Sequence, residues 1–180
     1  IGAVATGYAM ENNDGAAIID SESSGSFAGG VAVSSGTGDA TINASNNGAF
    51  AFGNVLALNF PATIYADGIG SLAGGYVASN LSDGTIQATS SASIAYGFET
   101  RGVIESIGPG SFAVGSANNN TISAGDTNID GSIAMGFANS GKILANNDAA
   151  VAIGYASASG KLLQATGVGS FALGTDVSST

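Results

Sequence analysis

The sequence predicts an all-β fold, a parallel β-roll or β-solenoid of nine coils, and three observations carry that prediction. A block of the form [Ser/Ala]-apolar-Ala-x-Gly recurs nine times. A second apolar position stands at a nearly fixed distance before each block after the first. Only 9% of the residues are charged, while glycine alone fills 29 positions, against roughly 25% charged in an ordinary globular domain. Self-similarity at a period near 20 residues is the mark of a repeat architecture, so it governs the reading of everything else.

The blocks follow one another along the chain. The first is Ala3-Val4-Ala5-Thr6-Gly7, followed by Ser26–Gly30 around Phe27, Ala49–Gly53 around Phe50, Ser71–Gly75 around Leu72 and Ser93–Gly97 around Ile94. The last four are Ser111–Gly115, Ser132–Gly136, Ala150–Gly154 and Ser170–Gly174. The alanine two places before the glycine occurs in all nine, as Ala5, Ala28, Ala51, Ala73, Ala95, Ala113, Ala134, Ala152 and Ala172. Side chains alternate between faces along a strand, so each block has one bulky apolar face and one face of Ser, Ala and Gly. The bulky face is expected to fill the core, leaving the small face flat enough for another backbone to approach.

The second element is also a strand. Ile19, Ile42, Ile64, Ile86, Ile104, Ile143 and Leu163 each lie eleven residues before a motif glycine, and Ile122 lies fourteen before Gly136, as if three residues were inserted there. A small residue follows two places later in most repeats, such as Ala44, Ala66 and Ala88. An apolar period of two, with Gly inside the blocks, excludes helix. Motif glycines are spaced 18 to 23 residues apart. Two strands and two turns fit that length, and nine coils stacked at about 4.8 Å give a rod on the order of 40 Å. Residues 1–180 therefore read as a single repetitive domain.

Length varies mainly between each motif glycine and the next Ile, which makes that corner the tolerant loop, held by segments such as Gly36-Thr37-Gly38-Asp39 and Asn118-Asn119-Asn120. The other corner carries turn residues, for example Asn46-Asn47-Gly48. A coil of two strands encloses little core, so a lone chain is expected to be marginal and to pack on copies of itself.

Composition removes several classes of function. Three basic residues, Arg101, Lys142 and Lys161, face 13 acidic ones, for a formal charge of −10. That balance offers nothing to a phosphate backbone or an anionic lipid surface, so neither nucleic acid nor membrane insertion is expected. Cysteine and histidine are absent, which excludes thiolate metal sites and a histidine-based triad. No enzyme activity, cofactor or metal is expected. The acidic residues are scattered through loops, with Asp14, Asp20 and Glu22 the nearest approach to a cluster, and they read as solvated charge. Asn43, Asn80 and Asn119 begin Asn-x-Ser/Thr sequons, some of which are expected by chance in this composition. Tyr8, Tyr76, Phe98, Phe137 and Tyr155 stand just after the motif glycine. They are expected to form either a structural ladder at a corner or oligomer interface, or a ligand-facing stripe.

The blocks Ser132-Ile133-Ala134-Met135-Gly136, Ala150-Val151-Ala152-Ile153-Gly154 and Ser170-Phe171-Ala172-Leu173-Gly174 resemble the head repeats of trimeric autotransporter adhesins, the YadA-like or haemagglutinin-type repeats. The resemblance implies a left-handed parallel β-roll, three chains side by side, and a place at the end of a bacterial surface stalk that binds extracellular matrix or other cells. Similar repeats occur in viral and phage fibres. The repeats here are longer than the family's commonest unit. The start at Ile1 without Met reads as a processed chain or an excerpt, with any outer-membrane anchor lying in regions outside it. The expected function is thus an extracellular, cell-surface adhesin head acting as a homotrimer. The alternative is a filament or fibre subunit joined head to tail through solenoid ends.

Overall fold

A computed structural model describes residues 2–12, 14–82, 84–175 and 178–179. In chain order the strands are β1 (Val4–Glu11), β2 (Ala17–Ser21), β3 (Phe27–Ser34), β4 (Ala40–Ala44), β5 (Phe50–Ala57) and β6 (Ala62–Ala66). Next come β7 (Leu72–Ser79), β8 (Gly84–Ala88), β9 (Ile94–Glu99), β10 (Val103–Ser106), β11 (Phe112–Asn118) and β12 (Thr121–Ala124). The last are β13 (Ile133–Asn139), β14 (Lys142–Ala145), β15 (Val151–Ala156), β16 (Leu162–Ala165), β17 (Phe171–Thr175) and β18 (Ser178–Ser179). The odd-numbered strands form one nine-stranded sheet and the even-numbered strands another, each in sequence order. All pairs are parallel, and the chain alternates between the sheets to make a β-solenoid of about eight full turns.

The repeat sets the register. Ala5 pairs with Ala28, Ala28 with Ala51 and Ala51 with Ala73, and the same column runs on to Ala172. The motif glycines stack in a second column from Gly7 to Gly174. They lie within the strands, which continue past them to the next corner.

The orientation of the motif strand is the reverse of the expected one. Ala28, Ala51, Ala73, Ala95, Ala113, Ala134 and Ala152 are fully buried between the sheets, whereas Phe50 is 46% exposed and Phe171 is 56% exposed. The bulky residues therefore point outward, and the Ser/Ala/Gly side is the interior instead of a surface for oligomer packing. The reason is space. Opposite the motif block each coil has room for one large side chain between its two sheets, and the even-numbered strands supply it as Ile42, Ile64, Ile86, Ile104, Ile122, Ile143 and Leu163, all fully buried. Ala40 and Ala44 flank Ile42, and Ala62 and Ala66 flank Ile64. Across from each of these large side chains the facing strand offers the motif alanine and glycine, and only beyond the glycine does it bury larger groups, as at Val55, Val77 and Glu99.

The glycine column shows how tightly the two sides fit. A Cβ on Gly7 would reach within 2.9 Å of the Ile19 side chain and would also fall on the backbone of Gly30 in the next coil. The motif glycines take φ values between +127° and +155°, a region other residues rarely occupy. Replacing Ala95 by Leu should accordingly lower stability by roughly 1 to 3 kcal/mol through overpacking. Denaturant unfolding of A95L measures this, and an unchanged midpoint would place that column outside the core.

One corner is closed by the residue four places before the motif glycine. Ser26, Ser93 and Ser111 are buried, and their hydroxyls donate to the carbonyls of Ser23 (2.5 Å), Ser90 (2.7 Å) and Gly108 (2.6 Å). The opposite, longer corner is held by the Ser34 hydroxyl donating to Gly38 O at 2.8 Å and by the Asp39 carboxylate accepting from Ala16 N–H at 2.9 Å. Gly36-Thr37-Gly38-Asp39 is thus part of a turn.

Candidate interaction surface

The outer face of the odd-numbered sheet is the largest chemically distinctive surface of the chain. Three columns of side chains point away from the core. The first contains Phe27, Phe50, Leu72, Ile94, Phe112 and Ile133. The second contains Phe52, Tyr96, Val114, Met135 and Ile153. The third holds every aromatic that follows a motif glycine: Tyr8, Tyr76, Phe98, Phe137 and Tyr155, separated by Val31, Asn54 and Ser116. These aromatics lie in the middle of a flat sheet, not at a corner of the roll, because the strand runs on past the glycine.

Within this face the rings pack along the rod. Tyr76 and Phe98 stack with centroids 4.9 Å apart, and Phe137 and Tyr155 stack at 5.4 Å. Tyr8 belongs to the same column, but its pairing neighbour is Val31. Phe52 and Tyr96 approach to 6.0 Å across Gly74, over which the Phe52 ring leans. Substantial apolar area stays in solvent even so, with Phe98 48% and Tyr96 44% exposed.

No residue of these three columns is charged, although the chain carries a net −10. Eight strand spacings by roughly five residues give a face on the order of 600 Å², at or above the largest apolar patch of a typical monomer. The even-numbered sheet presents the opposite character, with Asp20, Asn43, Gln87, Glu105 and Lys142 among its outward residues and Thr41, Thr63 and Thr85 in a row. The solenoid is therefore a slab with one apolar and one polar side.

One acidic residue lies inside. Glu99 is fully buried in a column otherwise filled by Val77 and Ala117, facing Gly84 and near the tight turn at Gly102. Its Oε1 accepts a hydrogen bond from Gly102 N–H, while Oε2 has no partner. Burial pushes the carboxyl from its ordinary 4.5 up to about 8, against the opposing pull of the Gly102 and Arg101 amides. The sequence alone does not single this residue out, because only the strand register reveals that Glu99 occupies an alanine or valine position.

The acidic residues Asp20 and Glu22 do not build a site: Asp20 accepts from its neighbouring Ser21 N–H, and Glu22 accepts from the Asn43 amide at 2.7 Å. Asp14 is exposed in a turn. Among the described residues no group of three potential metal ligands comes together, and no helix is long and apolar enough to cross a membrane. Comparison with protein-family models, with curated proteins and with solved structures finds no match to this chain.

Proposed function

We propose that the chain is a non-enzymatic, extracellular surface module of adhesin-head type, which assembles with copies of itself through the apolar face of the odd-numbered sheet and presents the polar sheet to a host matrix or another cell. The observation that carries this reading is the uncharged apolar face. Chains of net charge −10 repel one another, and this face is where copies can meet without bringing like charges together. Its area approaches the roughly 800 Å² per partner of a standard interface, and its aromatic content suits a buried contact. A trimer places three such faces around one axis, in keeping with the resemblance of the repeats to trimeric adhesin heads.

Light scattering on the isolated chain should give about three times the 17.2 kDa chain mass. Phe112→Asp puts a charge on the face without touching the core and should reduce the particle to monomers. A wild-type monomer, or a charged variant that still assembles, would remove the basis of the proposal.

The second reading is a filament or fibre subunit joined end to end, supported by the two unbroken parallel ladders, a geometry to which further coils add without a change of register. It predicts an open-ended size distribution in the same scattering experiment.

A further inference from the structure

The outer face of the even-numbered sheet is interrupted at one coil. Along β12 the outward residues are Thr121, Ser123 and then Gly125, while the flanking coils carry Glu105 and Ile107 on one side and Lys142 and Leu144 on the other. The small residues leave a trough one coil wide, running along the strand direction across the rod. Its walls stand two strand spacings apart, about 9.5 Å, and it encloses about 310 Å³, the lower end of the size of small-molecule sites. The three extra residues of this repeat form a loop whose Asp126 closes one end.

Ser123 is the distinguishing group. It is only 6% exposed, lines the trough, and its hydroxyl has no hydrogen-bond partner among the described residues. The residue is thus buried by its neighbours on every side but the trough, into which its hydroxyl opens. Glu105 on the wall is oriented by the Gln87 amide, which donates to its Oε2 at 3.1 Å.

From this arrangement we infer that the trough is a binding site for a short segment of a neutral, hydroxyl-rich glycan. Two alternatives fit less well. The backbone of β12 is already paired to β10 and β14, so an extended peptide would lie there without main-chain partners, which is costly. Glu105 and Asp126 outnumber Lys142, which opposes an anionic ligand. Sugar hydroxyls both donate and accept, matching the free Ser123 hydroxyl, the two carboxylates and the ammonium, while Ile107 and Leu144 offer apolar walls to the C–H faces of the rings.

This inference rests on the proposed function only in needing the polar sheet to face solvent. The test is saturation-transfer NMR with maltotriose, cellotriose and N,N′,N″-triacetylchitotriose, with trialanine and a heparin trisaccharide as comparisons. At least one neutral trisaccharide should receive saturation from the wild-type protein. Ser123→Leu, which copies the neighbouring Leu144 and leaves the core alone, should weaken that signal at least about tenfold, while Thr63→Leu on the same face should not. The inference is overturned if no neutral sugar binds, if Ser123→Leu binds like wild type, if Thr63→Leu loses binding equally, or if the peptide or heparin fragment is preferred. Light scattering on the same samples separates the two readings. Sugar binding by a monomer sinks the assembly reading alone, and an assembled protein that binds no neutral sugar sinks this one alone.

Discussion

Gly115→Ala should destabilise the protein by roughly 3 to 5 kcal/mol, more than a side-chain change of one methyl ordinarily costs. The added Cβ would land on the carbonyl oxygen of Gly136, and its neighbours on that side are backbone atoms of the next coil, which cannot move without breaking the parallel ladder. Gly115 also sits at φ +149°, which resists any residue with a side chain. Gly110→Ala supplies the comparison. That glycine has φ +63° at a corner, with nothing within 4 Å of where a methyl carbon would stand, so only the backbone penalty of about 1 kcal/mol applies. Urea unfolding of both variants at equal protein concentration measures the difference. Equal losses would show that the glycine column is set by backbone conformation alone and not by the contact between coils.

Raising the pH from about 4.5 to about 8 should remove a contribution of order 3 to 5 kcal/mol to wild-type stability that Glu99→Gln does not lose. The folded carboxyl holds its proton up to about pH 8, whereas the unfolded one gives it up near 4.5. Through that window the folded state binds more protons than the unfolded state, so stability falls as pH rises, and above the window the loss is complete. Val77, Ala117, Gly84 and Gly102 surround the carboxyl without a charge, and the Arg101 guanidinium is turned to Asn118 Oδ1 at 3.2 Å. No neighbouring cation among the described residues offsets the burial. Other carboxylates titrate in the same range, so the quantity to measure is the difference between wild type and Glu99→Gln in unfolding free energy across a pH series. Parallel curves would show that Glu99 is ionised in the folded chain.

The fold is legible in the sequence because each coil obeys the same local rule, and nine copies of a period-two pattern leave little choice of architecture. The even-numbered strands follow their pattern down to the buried Ile42, Ile64 and Ile86. The motif strand is inverted relative to its pattern. Hydrophobicity alone puts Phe50 inward and Ala51 outward, but hydrophobicity does not know how much room the opposite sheet leaves. A better clue lies in the tolerance of each position. The alanine never varies among the repeats, while the residue before it ranges from Val to Phe, and the stricter site is the more confined one. The trough is invisible in any single repeat. It depends on Thr121, Ser123 and Gly125 being small beside Glu105 and Leu144, a comparison that exists only once neighbouring coils are in register.

Because every strand pairs in parallel with the next coil, the main-chain hydrogen bonds between coils run along the long axis of the rod. Tension applied between its ends loads them in series, so coils peel away one at a time. Each coil of about 20 residues gives up about 4.8 Å of height and releases on the order of 65 Å of extended chain. The stack is thus a reserve of slack, yielding by stages under a pull that would snap a brittle tether. Lateral union of several copies through the apolar face would raise the force at which the first coil lets go.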